Sequence, residues 1–166
     1  MIFNLGFQKG KAFGFAFFLM NDLKRMNIKA FFSHKNTVWS TPQGFFDELD
    51  KKYNFTTDVC ATSENTKCAI FFSPETDGLQ QEWTGTCWMN PPYGKEISSW
   101  VKKAHLEVST GKCKVIALLP ARTDTKWFHE LILGKYKVEF IKGRLKFSDS
   151  KNSAPFPSML VIFEIN

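Results

Sequence analysis

The sequence has no two cysteines close enough to make a metal or redox motif. Cys60, Cys68, Cys87 and Cys113 are 8, 19 and 26 residues apart. That spacing excludes C-x-x-C zinc and thioredoxin-type chemistry and leads us to expect four reduced, largely buried thiols in a cytoplasmic protein. Histidine is scarce: His34, His105 and His129 stand without H-E-x-x-H or cysteine partners, so no metal is expected. No apolar run approaches the roughly 20 residues needed to span a bilayer. The longest, Ala12 to Met20, has nine. Lys9 and Lys11 precede it as in a secretory leader, but Asn21-Asp22-Leu23-Lys24-Arg25 stands where a small-residue cleavage site belongs. The run therefore predicts neither a membrane anchor nor a leader. A phosphate-cradling loop is missing too, because Gly6 to Gly10-Lys11 is one residue short of a P-loop and continues with Ala12. There is no internal repeat.

What remains is a chain of 166 residues, the size of one domain, with 43% hydrophobic and 23% charged residues, 18 Phe and 5 Trp. Such a composition buries a core. Lys and Arg number 22 against 16 Asp and Glu, a net charge of +6, which suits a polyanionic partner and is equally ordinary for a soluble protein.

The first 19 residues hold Phe3, Phe7, Phe13, Phe15, Phe17 and Phe18 with neither a helical stripe nor strand alternation. Residues 1–36 are expected to be a poorly ordered N-terminal extension, with 1–19 an over-extended start ahead of Met20 or Met26. Residues 37–166 are expected to form the working domain. Ser40-Thr41-Pro42 offers an N-cap and an N1 proline before Phe45, Phe46 and Leu49, predicting a helix from Pro42 to about Tyr53. Phe55 to Cys60, Lys67 to Phe72 and Thr86 to Met89 read as short strands, the last stopped by two prolines. Ile97, Trp100, Val101, Ala104 and Val108 form one helical stripe with Gly111 as its stop. Cys113 to Leu119 reads as a strand covered on both faces and ended by Pro120. A helix at Trp127 to Leu133, a strand at Lys137 to Ile141, a loop at Ser148 to Ala154 and a strand at Phe156 to Ile165 complete the pattern. The alternation predicts an α/β fold, a mixed sheet with helices on both faces and ligands at the carboxyl ends of its strands. Trp100 and Trp127 are expected in the core, and His129 in a structural role.

Asn90-Pro91-Pro92-Tyr93 lies just past a predicted strand, where such a fold places its ligands. An exocyclic amine on a base is a poor nucleophile because its lone pair is delocalised into the ring. The Asn90 carboxamide oxygen and the Pro91 carbonyl suit its two hydrogens, favouring a pyramidal nitrogen with its lone pair free. Pro91 and Pro92 make the loop rigid, and Tyr93 offers a face on which an extruded base stacks. The tetrapeptide also fits a plain diproline loop.

Trp39-Ser40-Thr41-Pro42, Asp58-Val59-Cys60-Ala61, Asn65-Thr66-Lys67-Cys68, Asp77-Gly78-Leu79 with Trp83, and Asn90-Pro91-Pro92-Tyr93-Gly94 occur in that order. Leu119-Pro120-Ala121-Arg122-Thr123-Asp124-Thr125, Trp127-Phe128-His129, Gly143-Arg144-Leu145-Lys146-Phe147 and Pro155-Phe156-Pro157-Ser158 follow. Over residues 37–166 this series resembles the phage-type DNA N-6-adenine methyltransferase family. The resemblance implies a single-domain, Rossmann-like, S-adenosylmethionine-dependent methyltransferase that is site-specific or weakly specific for DNA. It implies that Trp39, Thr41, Pro42, Asp58, Cys60, Ala61 and Asp77 line the cofactor pocket. Exposed N–H groups at the helix start suit the cofactor carboxylate, Asp58 its ammonium or ribose, and Asp77 its adenine amine. Both aspartates equally suit turns. The glycine-rich F-x-G-x-G loop of many methyltransferases is absent.

Arg122 and Thr123 are placed to meet DNA, as are Arg144 and Lys146, with Phe147 as an aromatic edge. Surface ion pairing of Arg122 and a hairpin face at Arg144 to Phe147 are the bland alternatives. A monomer acting in the host cytoplasm, protecting phage or prophage DNA or serving restriction-modification, fits the resemblance. Three other readings remain: methylation of a protein glutamine amide, of cytosine N4, or a non-catalytic nucleic-acid-binding module. For the last, Lys142 to Phe147 fails the aromatic RNA-binding pattern.

Overall fold

A computed structural model describes residues 38–148 and 150–165, all within the unit Lys35–Asn166. The expectations for residues 1–36 lie outside the described residues. Helices α1 (Gln43–Tyr53), α2 (Ile97–Ser109) and α3 (Lys126–Leu131) accompany a sheet of six strands. The strands are β1 (Thr57–Asp58), β2 (Ile70–Phe71), β3 (Gly85–Met89), β4 (Cys113–Pro120), β5 (Lys137–Phe140) and β6 (Ser158–Phe163). Their order is β2-β1-β3-β4-β6-β5. β2, β1, β3 and β4 are mutually parallel, while β6 runs antiparallel to both β4 and β5. The fold is α/β with a mixed sheet.

Alternation along the strands sorts the helices to opposite faces. Trp88 of β3 meets Phe46 of α1 at 5.6 Å and Phe55 at 5.4 Å, and Lys114 of β4 lies over the Tyr53 ring of α1. On the other face Phe163 of β6 meets Tyr136 at 4.7 Å, and the Tyr136 hydroxyl is hydrogen-bonded to His105 of α2. The expected α2 stripe is real: Ile97, Trp100, Val101, Ala104 and Val108 are all buried. β4 is buried from Val115 to Pro120, as a strand covered on both faces must be. Trp100 and Trp127 are in the core.

Three local expectations change. The strands expected over Phe55 to Cys60 and Lys67 to Phe72 contract to two residues each, because only Thr57 and Asp58 find parallel partners on both sides. Pro120 belongs to β4, opposite Ser158; at a strand end its missing N–H costs no ladder bond. Pro42 is the N-cap of α1 rather than its first turn: its ψ of 135° is extended, and a proline has no polar side-chain group with which to cap.

The parallel strands set Asp58, Asn90 and Ala121 at one end of the sheet, and Ser158 opposite Pro120 brings the start of β6 to the same end. The turn after β2 closes on it as well. A Cβ added at Gly78 would stand 2.1 Å from the Val59 carbonyl oxygen, so only glycine lets the Asp77-Gly78-Leu79 turn sit there, with the Gly78 carbonyl accepting from Trp83 Nε1 at 2.8 Å. Gly78→Ala is expected to lower stability by about 1–3 kcal/mol, the usual cost of overpacking. Urea denaturation checks this, and an unchanged midpoint contradicts the close approach.

Candidate active site

Asn90 directly follows β3 and is held by the segment ahead of α1. Its Nδ2 donates to the Trp39 carbonyl at 2.6 Å and to Thr41 Oγ1 at 2.9 Å. A carbonyl has no proton to give, so the carboxamide cannot reverse its ends. Oδ1 therefore points away from that segment. It is buried, and among the described residues it has no partner. Leaving such an acceptor unpaired costs about 1–3 kcal/mol, a cost that an incoming N–H donor relieves.

The anchoring segment is itself tied down. The Ser148 N–H donates to the Ser40 carbonyl at 2.9 Å and its hydroxyl to the Thr41 carbonyl at 3.2 Å. The Trp39 ring packs 5.3 Å from Phe147 and 5.2 Å from Phe156. Behind Asn90, Pro91 is buried, and Pro92 accepts from the Gly94 N–H at 3.0 Å. Among the described residues no backbone amide donates to the Pro91 carbonyl in a turn or loop. Tyr93 is only 5% exposed. Its hydroxyl donates to the Leu118 carbonyl at 3.0 Å, and its ring meets Phe156 and Phe147 nearly edge-on at 5.4 and 6.2 Å. The open stacking face expected at Tyr93 is thus taken up by the core, and burial pushes its hydroxyl pKa well up.

An unpartnered amide oxygen beside a rigid diproline loop, at the carboxyl end of a parallel strand, is a site for a group that offers N–H. A family model described as DNA N-6-adenine-methyltransferase (Dam) matches residues 30–165. The chain belongs to that family. It is 32% identical over 136 residues to the DNA N-6-adenine-methyltransferase of Haemophilus phage HP1, covering 76% of this chain and 78% of that protein. It is 36% identical over 111 residues to the DNA N-6-adenine-methyltransferase of Escherichia phage T1, covering 65% of this chain and 46% of that one.

The other residues singled out in the sequence stand in different states. Thr41 is 2% exposed, and its hydroxyl is committed to Asn90. Cys60 is half-buried and Ala61 buried, with the Ala61 N–H on the Phe72 carbonyl at 3.1 Å. Burial and the Asp58 carboxylate push the Cys60 thiol well up, while the Asn90 N–H works against them. Asp77 is exposed, holds a left-handed φ of 53°, and accepts from the Leu79 N–H at 3.2 Å, as a turn aspartate does.

Arg122, Thr123, Arg144 and Lys146 are exposed. None of the three cations pairs with a carboxylate among the described residues. The aromatic edge expected beside Arg144 and Lys146 is corrected: Phe147 is 1% exposed and packs inward on Trp39 and Tyr93. These residues lie in irregular chain rather than on a hairpin. His129 is exposed on α3. No cluster of metal-binding side chains occurs among the described residues, and no described helix is long and apolar enough to cross a membrane. Ser148, which ties down the Asn90 anchors, carries no signal in the sequence.

Asp58 ends β1 and is 3% exposed. Its carboxylate accepts from the Cys60 N–H at 3.3 Å and the Lys67 N–H at 3.1 Å. Burial nonetheless dominates and raises its pKa from 3.8 to about 6, against those two bonds and the Lys67 charge. An acid raised on folding keeps its proton in the folded chain where the unfolded chain has lost it. Its contribution to stability is present below the unfolded value and lost as pH rises through the folded one. Asp58→Asn is therefore expected to gain on the wild type in urea midpoint between about pH 4 and pH 7, whatever fixed cost the lost acceptor carries. A gap that stays constant across that window contradicts the buried acid.

Proposed function

We propose that this chain transfers a methyl group from S-adenosylmethionine to N6 of an adenine extruded from DNA, using residues 37–166 as a single Rossmann-like domain. The observation that carries the reading is the buried Asn90 Oδ1, oriented by Trp39 and Thr41 and lacking a donor among the described residues. An exocyclic amine has two hydrogens to give. Asn90 Oδ1 accepts one and the Pro91 carbonyl the other, which draws the nitrogen lone pair out of the ring and towards the electrophile. Pro91 and Pro92 deny the loop the freedom to follow the amine, so its geometry is imposed on the substrate. Tyr93, sealed against Phe147 and Phe156, supports that loop from beneath. Once methylated, the nitrogen is briefly cationic and releases its proton to water without a catalytic base.

The chemistry of several assigned cofactor residues supports the reading. S-adenosylmethionine, when bound, supplies a methyl group on a sulfonium. The first amides of α1 have no side-chain cap and suit a carboxylate. Asp58, buried with a raised pKa, gains from any ammonium or hydroxyl set against it. Trp39, Pro42, Cys60 and Ala61 are assigned to the walls of that pocket and Asp77 to its rim. Parallel strands with their loops at one end support the Rossmann-like assignment. Arg122, Thr123, Arg144 and Lys146 face the DNA, where unpaired cations hold phosphate and leave sequence readout to short loops.

Tritiated S-adenosylmethionine and unmethylated DNA, followed by nucleoside chromatography, test the reading. Label is expected in N6-methyladenine, and Asn90→Ala is expected to abolish it while cofactor binding survives. Retention of about a tenth or more of the wild-type kcat defeats the catalytic assignment, and label in protein rather than DNA defeats the substrate. Arg122→Ala is expected to weaken DNA binding and to flatten the slope of log affinity against log salt by about one. An identical slope removes Arg122 from the DNA-facing set.

A further inference from the structure

We infer that Thr41 is a positioning residue that orients the Asn90 carboxamide for transfer, rather than a ligand of the cofactor. The inference rests on the methyltransferase reading above and names how its key side chain is set. Threonine at a helix start ordinarily caps the helix with its hydroxyl. Here Pro42 occupies the N-cap position and α1 has no side-chain cap bond. The hydroxyl instead accepts from Asn90 Nδ2 at 2.9 Å, while the side chain is almost wholly enclosed at 2% exposed. With the Trp39 carbonyl taking a second bond from Nδ2 at 2.6 Å, both amide hydrogens have acceptors.

That arrangement has two effects at the other end of the amide. It fixes Oδ1 in the one direction left open. It also polarises the carboxamide, because hydrogen bonds donated from nitrogen place more charge on oxygen and make it a better acceptor. The segment that does this is braced: Ser148 binds the carbonyls of Ser40 and Thr41, and the Trp39 ring is seated on Phe147 and Phe156. The hydroxyl keeps its own proton, but at 2% exposed the side chain is enclosed against Asn90 rather than presented to a cofactor.

The test uses the full chain with DNA and tritiated S-adenosylmethionine. Thr41→Val keeps the shape and removes the acceptor. Its kcat is expected to fall by about tenfold or more, the worth of one buried hydrogen bond, with cofactor affinity and both KM values changed by no more than about twofold. Thr41→Ser restores the acceptor and is expected to recover most of the rate. A readout independent of turnover is the pair of Asn90 side-chain amide protons, assigned by their loss in Asn90→Ala. They are expected to exchange slowly with water in wild type and Thr41→Ser and quickly in Thr41→Val. Thr41→Ala gives the same comparison if the valine variant does not fold. A wild-type kcat with a raised cofactor KM in Thr41→Val overturns the inference and makes Thr41 a cofactor contact. Unchanged Asn90 proton exchange in Thr41→Val also overturns it. Fast exchange in Thr41→Val, in a protein whose wild type leaves no label in DNA, upholds the orientation and sinks the methyltransferase reading alone.

Discussion

The hydrogen bond from Asn90 Nδ2 to the Trp39 carbonyl constrains the site more than any other contact. A carboxamide can rotate to exchange its ends at little cost when its neighbours can both give and take protons. A main-chain carbonyl only takes. Once Trp39 stands within 2.6 Å of Nδ2, the oxygen has a single direction, and the second bond, to Thr41, fixes the tilt. The oxygen that has no partner among the described residues is therefore a product of the fold, held at a cost in stability that an incoming N–H donor relieves. Strain and unmet bonding capacity of this kind are kept only where surrounding structure over-determines them.

The sheet supplies that surrounding structure. Because β1, β3 and β4 run in parallel, their carboxyl ends deliver Asp58, Asn90 and Ala121 to one edge, and the antiparallel β6 starts there instead of ending there. Trp88, two residues before Asn90, is locked between the sheet and α1 through Phe46 and Phe55. The position of the α1 start relative to Asn90 is thus set by aromatic packing one turn into the helix. Thr41 is free to reach Asn90 because the helix does not need it as a cap.

Much of this architecture was legible in the sequence, and the parts that were not share a cause. The α2 stripe and the β4 apolar run are periodic signals carried by the residues themselves, and both appear where expected. The two-residue strands β1 and β2 are defined by partners on neighbouring strands, which no local pattern reveals. The chemistry of Asn90-Pro91-Pro92-Tyr93 singles out that loop in the sequence, but the sealing of Tyr93 carries no local signal, since Phe147 and Phe156 arrive from far along the chain. Phe147 looked like part of a basic surface for the same reason: its neighbours Arg144 and Lys146 are exposed while it turns inward. The α1 cap stands one residue later than the Ser40-Thr41-Pro42 pattern predicts, and the Thr41 hydroxyl there meets a residue 49 positions away. Local propensity specified the elements, and distant contacts decided what the loop side chains do.

The long spans in this network have a consequence in time. Asn90 is held by residues 49 and 51 positions earlier, and Thr41 by Ser148, 107 positions later. Contacts so distant in sequence are among the slowest to form as a chain folds. A nascent polypeptide that has passed Asn90 already contains Trp39 and Thr41 but not the serine that braces them. The poised amide is therefore finished only after the chain has been made almost to its last strand. A slip in the loop before β6 that moved Ser148 would loosen Ser40 and Thr41 and, through them, the aim of Asn90 Oδ1.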